Sequence, residues 1–368
     1  MTDVAETMMR RAVTLARKGV GKTAPNPAVG CVIVKDGAIV GEGWHRKAGT
    51  PHAEVHALHQ AGARAEGADV YVTLEPCSHF GKTPPCADAL IAARVGRVFV
   101  GMVDPNPRVC GAGIGKLRAA GISVTAPLLE EQCRLLNEPF IKHVATGLPF
   151  VVLKTAMTMD GKIATVGRDS KWVTSEKSRR YVHKLRAKLD VIMVGVGTVV
   201  KDDPLLTSRI PGGRDPLRVV VDSRLRIPLN AQLLHVDSPA KTIVATISSD
   251  AGRISRLTDL GAEVLSCSGT GDRVDLFSLM TELGKRGVQS ILLEGGAELA
   301  GEALRKGVVD KCLFFYAPKL IAGEGLGPFA GDGVDKMADA LKLQDVTVIK
   351  FGEDILIQGY PEKRCLQA

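Results

Sequence analysis

The chain has 368 residues, 45% hydrophobic and 24% charged, which is the balance of a globular protein and not of a disordered one, at a length suited to two domains. It contains no apolar run of about 18 residues, and its first residues are polar and amphipathic where a secretory leader would be basic and then apolar, so the expectation is a cytoplasmic protein with no membrane partner. A formal charge of +8 suits nucleic acid, membrane or phosphorylated small molecules, but aromatics at 4% are too few for the stacking platforms of single-strand binding, which favours a small phosphate-bearing substrate, with a generically basic surface as the plain alternative and no nucleic acid as partner.

In chain order, Val4 to Lys18 has a helical pattern capped by Thr2 or Asp3 and stopped at Gly19. Pro25-Asn26-Pro27 forces a loop. Ala28 to Val34, an Asp36-Gly37 turn and Ala38 to Gly43 predict a β-hairpin, after which Trp44-His45 leads to a helix entered at His52, just behind Pro51. Asp69 to Leu74 predicts a strand that delivers Pro76-Cys77 to its carboxyl end, where α/β sheets place their sites. Cys86, behind Pro84-Pro85, opens an apolar helix. A strand from Arg97 to Met102, the Asp104-Pro-Asn-Pro107 loop, a helix from Gly113 to Ala120 and a strand from Ile122 to Thr125 complete an α/β unit. Glu130 to Ala145 reads as one more polar helix. Thr146-Gly147-Leu148-Pro149 then punctuates the chain, and the expected domains are 1–146 and 147–368.

Within the first of these lies a constellation with a chemical task. His52, Cys77 and Cys86, the two thiols with eight residues between them, supply an imidazole and two sulfurs, a ligand set suited to zinc. Catalytic zinc takes three protein ligands and leaves the fourth position to water, whose pKa falls to about 7; Glu54, two residues past His52, is then the proton carrier. Helix-end dipoles are expected to lower the thiol pKa at Cys86. A metalloprotease helix needs His-Glu-x-x-His, which Ala53 and Glu54 do not allow. The better rival is a closed structural zinc with His56 or His79 as fourth ligand, which gives Glu54 no task. The remaining cysteines read as reduced thiols, Cys31 as a core residue.

The second half starts with a strand, Phe150 to Thr155, and strand and helix patterns alternate from there to the end, with strands at Val191 to Val194, Arg218 to Val221, Thr242 to Ala245, Ser290 to Leu293 and Lys311 to Tyr316. Its phosphate signal is Ile291-Leu-Leu-Glu294-Gly295-Gly296-Ala297-Glu298-Leu299-Ala300-Gly301-Glu302, an apolar strand running through a glycine pair into a helix, whose bare N–H groups and positive end suit a pyrophosphate. A tight turn explains the pair equally well. Val194-Gly195-Val-Gly197-Thr198 is a second, weaker strand end of this kind.

The pattern His-x-Glu, Pro-Cys, Cys is similar to that of the zinc-dependent cytidine and nucleotide deaminases, with a longer insert between the thiols than their usual two residues. Thr73-Leu-Glu-Pro-Cys77 through Pro-Pro-Cys86 resembles, more narrowly, the deaminase half of the bifunctional riboflavin-biosynthesis deaminase/reductase family. Lys154-Thr-Ala-Met-Thr-Met-Asp160-Gly-Lys162, Ser170-Lys-Trp172-Val-Thr-Ser, Gly197-Thr198 with Asp202-Asp203-Pro204-Leu-Leu-Thr207, and Glu294-Gly-Gly296 resemble its reductase half. The resemblance runs to about Gly359 and implies an α/β protein, a cytidine-deaminase-like three-layer domain followed by a dihydrofolate-reductase-like domain with a predominantly parallel sheet.

Carried over by motif, the resemblance implies one zinc on His52, Cys77 and Cys86, with Glu54 catalytic. It puts NADPH or NADP+ against Ala156, Trp172, Thr198, Asp202, Ser223 and the run Gly296, Ala297, Glu298, Leu299, Ala300, Gly301 and Glu302. The substrate, a phosphorylated pyrimidine, would meet Ser170, Arg186, Leu206, Arg209 and Glu294; a guanidinium fork matches phosphate oxygens. Without the resemblance, Arg186 and Arg209 read as surface charges and Trp172 as core. Asn26 is implied near the pyrimidine, or merely holds its turn; His79 and Lys82 are substrate candidates or solvated loop. The implied activity is deamination of 2,5-diamino-6-ribosylamino-4(3H)-pyrimidinone 5′-phosphate, then reduction of its ribosyl chain to ribityl, in a homo-oligomer. Asp160 and Glu294 are the candidate acids of the second step. Two other functions remain open on the residues: a tRNA or free-nucleotide deaminase with an unrelated appended domain, and a zinc-stabilised binding module without catalysis.

Overall fold

A computed structural model of the chain describes residues 2–80, 84–107 and 109–362. The chain divides into two compact units, Met1–Gly147 and Leu148–Ala368. The first contains α1 (Thr2–Ala16), β1 (Gly30–Lys35), β2 (Ala38–Trp44), α2 (Ala53–Ala61), β3 (Asp69–Val72), α3 (Cys86–Ala92), β4 (Arg97–Val100), α4 (Ala112–Ala119), β5 (Ser123–Thr125), α5 (Glu130–Leu136) and α6 (Glu138–Thr146). Its sheet has the order β2-β1-β3-β4-β5, with β1 antiparallel to both neighbours and β3, β4 and β5 parallel.

Period-two alternation in β1 decides the layers. Val32 and Val34 face Met9, Ala12, Val13 and Leu15 of α1, whose apolar residues recur at helical spacing. Cys31 and Ile33 face the other way, onto Ala53, Ala57 and Ala61 of α2, Ala87 and Leu90 of α3, and Leu117 of α4. The result is three layers. Each buried Leu or Ile removes enough apolar area to contribute roughly 1.5–3 kcal/mol.

The close seat of α2 depends on two glycines of β2. A Cβ on Gly41 would lie 2.2 Å from the Ala57 carbonyl oxygen, and one on Gly43 2.1 Å from that of Ala53. The hairpin before it turns at Asp36 and Gly37, both at positive φ (50° and 78°), the backbone a two-residue turn between twisted strands requires.

The helix expected over Glu130 to Ala145 is two helices, because Pro139 in the first turn of α6 cannot continue the ladder of α5. Asn137 stands at the break with φ −122°. Its buried amide accepts from the Ala28 N–H at 2.8 Å and donates to the Ala28 carbonyl at 3.0 Å, doing for the loop before β1 what a neighbouring strand would do.

The second unit contains β6 (Phe150–Thr158), α7 (Glu176–Lys188), β7 (Val191–Gly195), α8 (Val196–Asp202), β8 (Leu217–Val221), β9 (Thr242–Thr246), α9 (Ala251–Asp259), β10 (Glu263–Ser266), the short pair β11 (Gly269–Thr270) and β12 (Arg273–Val274), α10 (Leu276–Lys285), β13 (Ser290–Glu294), α11 (Ala297–Arg305), β14 (Lys311–Ala317), β15 (Leu343–Phe351) and β16 (Asp354–Pro361). The main sheet has the order β10-β9-β8-β7-β13-β6-β14-β16-β15. It is parallel from β10 to β14, and its central strands are apolar on both faces, as buried parallel strands must be. Leu279 and Leu283 of α10 and Ala300 and Ala303 of α11 cover one face; Val182 of α7 and Leu257 of α9 cover the other.

Strand and helix do not alternate to the end as expected. β15 and β16 form an antiparallel hairpin that returns to β14, and β15 is an edge strand along which Val346, Val348 and Ile349 are exposed. Among the described residues, no helix is long and apolar enough to cross a membrane.

Candidate active sites

In the first unit, His52 is the residue at which the chain enters α2, with extended backbone, and Cys86 is the first residue of α3, entered from Pro85. Cys77 lies just beyond the carboxyl end of β3. Three separate elements thus bring His52, Cys77 and Cys86 together, with ligand atoms all within 4.8 Å of one another. His52 Nδ1 faces both sulfurs, 3.2 Å from Cys86 and 3.6 Å from Cys77. Such an arrangement of one imidazole and two thiols fits zinc with an open fourth position. Among the described residues, no other His, Cys, Asp or Glu joins the group. His79 is exposed on the insert, and Lys82 lies outside the described residues.

The electrostatics differ from expectation in one respect. The Cys86 thiol, at the helix entry, is pushed up by its hydrogen bond to Cys77 and by burial, whereas the Cys77 thiol is pulled down, chiefly by the hydrogen bond from Cys86, with His52 and the Cys86 N–H adding to it. The backbone adds to this. The Cys86 backbone N–H, the first donor of α3, points at the Cys77 sulfur 3.2 Å away, so the positive helix end acts on the neighbour's thiolate. Glu54, in the first turn of α2, is 3% exposed, and burial pushes its carboxyl up to about 7, where it can hold or release a proton near neutrality.

Two supporting residues escaped the sequence reading. His45 is buried, with its ring centre 5.0 Å from that of His52. Its Nδ1 lies 3.3 Å from the Pro51 carbonyl and its Nε2 3.1 Å from the Asn26 amide nitrogen; a proton on Nδ1 satisfies both contacts and fixes the Asn26 amide. Glu75 is also buried. Its carboxylate accepts four backbone N–H bonds, from Asp104 (3.1 Å), Gly111 (3.0 Å), Gly113 (2.9 Å) and Ile114 (3.2 Å), tying the loop after β4 and the start of α4 to the residue two before Cys77. A lone Glu in Thr-Leu-Glu-Pro-Cys gives no hint of that.

In the second unit, a cleft of about 1170 Å³ opens where β6, β13, β7 and β8 end, with the entries of α8 and α11 on its wall. Gly295, at φ +142°, makes the turn from β13 into α11, and the Gly296 N–H donates to Thr198 Oγ1 at 3.1 Å, joining the two glycine-bearing strand ends. The cleft is lined by Ala156, Ser170, Trp172, Arg186, Thr198, Asp202, Leu206, Arg209, Ser223, Glu294, Gly296, Ala297, Glu298, Leu299 and Glu302. Ala300 and Gly301 lie elsewhere: Ala300 is in the core, and a Cβ on Gly301 would meet the Ala330 carbonyl at 2.1 Å. Trp172 is 60% exposed, with the Arg179 guanidinium over its ring, and is no core residue.

The charges at the floor of this cleft are paired. Arg186 holds Glu294 with two hydrogen bonds (2.9 and 3.1 Å), and Lys154 Nζ lies 3.8 Å from the same carboxylate. Burial raises the Glu294 carboxyl, but the charges of Arg186 and Lys154 outweigh it and bring the group to about 2. Glu294 is therefore an anion at neutral pH and has no proton to give. Asp160, the other candidate acid, is not in the cleft lining; it accepts from Thr158 Oγ1 and from the N–H groups of Ile321 and Ala322. Lys154, which lines the cleft, is a proton holder that sequence reasoning passed over.

Comparison with known proteins matches both units. The family model "Cytidine and deoxycytidylate deaminase zinc-binding region" matches residues 2–102, and "RibD C-terminal domain" matches residues 149–357. The chain is 46% identical to the riboflavin biosynthesis protein RibD of Actinobacillus pleuropneumoniae, over 97% of this chain and 95% of that one, and 42% identical to that of Escherichia coli K12, over 96% and 98%. Among solved structures, Acinetobacter baumannii RibD superposes with a TM-score of 0.89 at 38% identity, over 99% and 100% of the two chains. A Thermotoga maritima diaminohydroxyphosphoribosylaminopyrimidine deaminase/5-amino-6-(5-phosphoribosylamino)uracil reductase does so with 0.87 at 38%, over 98% and 99%. With a deaminase zinc region on one unit and a reductase domain on the other, the chain belongs to the RibD family of bifunctional riboflavin-biosynthesis enzymes, a zinc-dependent deaminase joined to an NADPH-dependent reductase.

Proposed function

We propose that the first unit removes the 2-amino group of 2,5-diamino-6-ribosylamino-4(3H)-pyrimidinone 5′-phosphate and that the second reduces the ribosyl chain of the product to ribityl. Both substrates are phosphorylated pyrimidines, in keeping with the net charge of +8. What carries the first half is the placement of Glu54: buried, two residues from His52, and outside the three-residue ligand group. When zinc is bound by His52, Cys77 and Cys86, it supplies a water acidic enough to ionise near neutral pH. Glu54 takes up the proton of the attacking water and delivers it to the departing nitrogen, which leaves as ammonia. Asn26, held through His45, offers its side-chain oxygen to the pyrimidine.

In the second unit NADPH, bound along Ala156, Trp172, Thr198, Asp202, Ser223 and the turn from Gly296 to Leu299, supplies the hydride. Ser170, Leu206 and Arg209 meet the substrate, Arg186 holds Glu294, and the Glu294 carboxylate accepts from sugar hydroxyls. Lys154 gives a proton to the ring oxygen as the sugar opens. The setting is the cytoplasm. A second copy of the chain is the natural partner of the exposed β15 edge, since an unpaired strand edge invites another, and light scattering on the purified chain tests it.

The decisive experiment is Glu54→Gln. The variant is expected to keep its zinc, measured by atomic absorption, and to lose ammonia release by roughly 100-fold or more, the scale of a lost general acid–base group. Ammonia release at the wild-type rate refutes the assignment. Loss of zinc or of fold shows Glu54 to be structural instead.

A further inference from the structure

Between β6 and α7, residues 159–175 form neither helix nor strand, apart from one bridge between Ala164 and Leu326. Ser170 and Trp172 of this stretch line the cleft. The stretch itself has little core contact there, for no residue between Ala164 and Thr174 is buried. Irregular chain of this length keeps one conformation only where something outside it holds its ends. At the β6 end the hold is Asp160, which accepts from the Ile321 and Ala322 N–H groups.

At the α7 end it is Asp354. This residue opens β16, directly after the hairpin turn at Gly352 and Glu353, and it is fully buried. Its Oδ2 accepts from the Ser175 N–H at 2.8 Å, from Ser175 Oγ at 2.6 Å and from Ser178 Oγ at 2.6 Å. Its Oδ1 is buried with no hydrogen-bond partner among the described residues. Ser175 is the N-cap of α7, so the positive helix end offsets part of the cost of burying the carboxylate. Phe351, on the other side of the same turn, packs on Tyr181 of α7 with ring centres 4.9 Å apart. The hairpin tip thus grips the start of the helix. A hydroxyl or an amide is enough to cap a helix; a buried carboxylate with three donors on one oxygen is a stronger, charge-assisted tie. Arg179 carries that tie back along the chain, because its Nη1 donates to the Thr174 carbonyl at 2.6 Å and its guanidinium lies 4.6 Å from the centre of the Trp172 ring.

We infer that Asp354 is a positioning residue of the reductase, which by holding Ser175 and Ser178 fixes Ser170 and Trp172 in the cleft wall. The inference rests on the proposed placement of the pyrimidine substrate at Ser170 and of NADPH at Trp172. Arg186, near the other end of α7, is held separately by Glu294 and by the Thr207 carbonyl and stays in place when the tie is cut.

The measurement is steady-state reduction of the deaminated intermediate by the full-length chain, for the wild type, Asp354→Ala, Asp354→Asn and Ser178→Ala, each assayed well below its melting temperature by circular dichroism. A smaller folded fraction lowers kcat and leaves KM where it was, whereas a displaced wall raises KM. Asp354→Ala is expected to lose roughly 10- to 100-fold in kcat/KM, the scale of a misplacement of up to about 1 Å, with the KM for the pyrimidine raised. Asp354→Asn keeps an oxygen for the same donors and should recover most of the loss; Ser178→Ala removes one donor and should show a smaller rise in KM. Ammonia release should be unchanged in all three. In a Trp44→Phe background Trp172 is the sole tryptophan, and its fluorescence anisotropy should fall when Asp354 or Ser178 becomes Ala. Should Asp354→Ala fail to fold, Ser178→Ala, a change of one oxygen atom, carries both measurements. A pyrimidine KM at the wild-type value in every folded variant, or an unmoved Trp172 anisotropy, overturns the inference and leaves Asp354 a residue of stability alone. A wild-type chain that does not reduce the intermediate overturns the placement of substrate and cofactor, and the inference with it.

Discussion

Glu294 shows how strongly a single position can be charged by its neighbours. Its folded-state pKa of about 2 lies below its ordinary value of 4.5, so it contributes stability that is fully present above about pH 4.5 and is lost as pH falls toward 2. The size is roughly 3 kcal/mol by the usual conversion. Glu294→Gln should therefore flatten the acid limb of the second unit's stability, and should also destabilise it near neutrality, because Arg186 is left buried beside an amide. Urea midpoints at pH 7 and pH 3 for both proteins check this; an unchanged difference between the two pH values would contradict it. Glu75 makes the complementary case, a carboxylate with four N–H donors and, among the described residues, no cationic partner. Glu75→Gln turns an amide NH₂ toward donors, costs roughly 1–3 kcal/mol, and should speed loss of zinc to a chelator, since Cys77 is only two residues away. Retention at the wild-type rate would show that Cys77 keeps its place without it.

At the scale of elements, the seat of α2 governs the chemistry. Gly43→Ala puts a methyl group 2.1 Å from the Ala53 carbonyl, and the first turn of α2, which carries His52 and Glu54, has to lift. Ammonia release should fall at least tenfold, the cost of a misplacement of about 1 Å being on the order of 100-fold; an assay at full rate would show that the helix yields without moving its first turn. The sequence disclosed the elements that build both sites because each has a local signal: the period-two run of β1, Pro51 and Pro85 ahead of helix entries, the glycine pair after β13. It did not disclose contacts made across long stretches of chain. Asn137 answers Ala28 from 109 residues away, and nothing near it marks a helix break except Pro139. The β15–β16 hairpin was missed for another reason: β15 is exposed along most of its length, so no buried face imposes a pattern of core residues on it.

For the molecule as a whole, the zinc ligands all lie in Met1–Gly147 and the cleft lining all in Leu148–Ala368. Cys86→Ser should therefore abolish zinc binding and deamination while NADPH-dependent reduction of the deaminated intermediate continues within about twofold, the change expected of sites that share no residue. Failure of reduction in a folded variant would reveal energetic coupling between the halves. The Asn137 clasp has a practical corollary for anyone wishing to express the amine-removing half by itself. Trimming at residue 102, where the matched zinc-binding region ends, would strip Cys133 from the α1 face of the sheet and leave the buried N–H and carbonyl of Ala28 facing nothing. A usable fragment has to run past Asn137 to the end of α6.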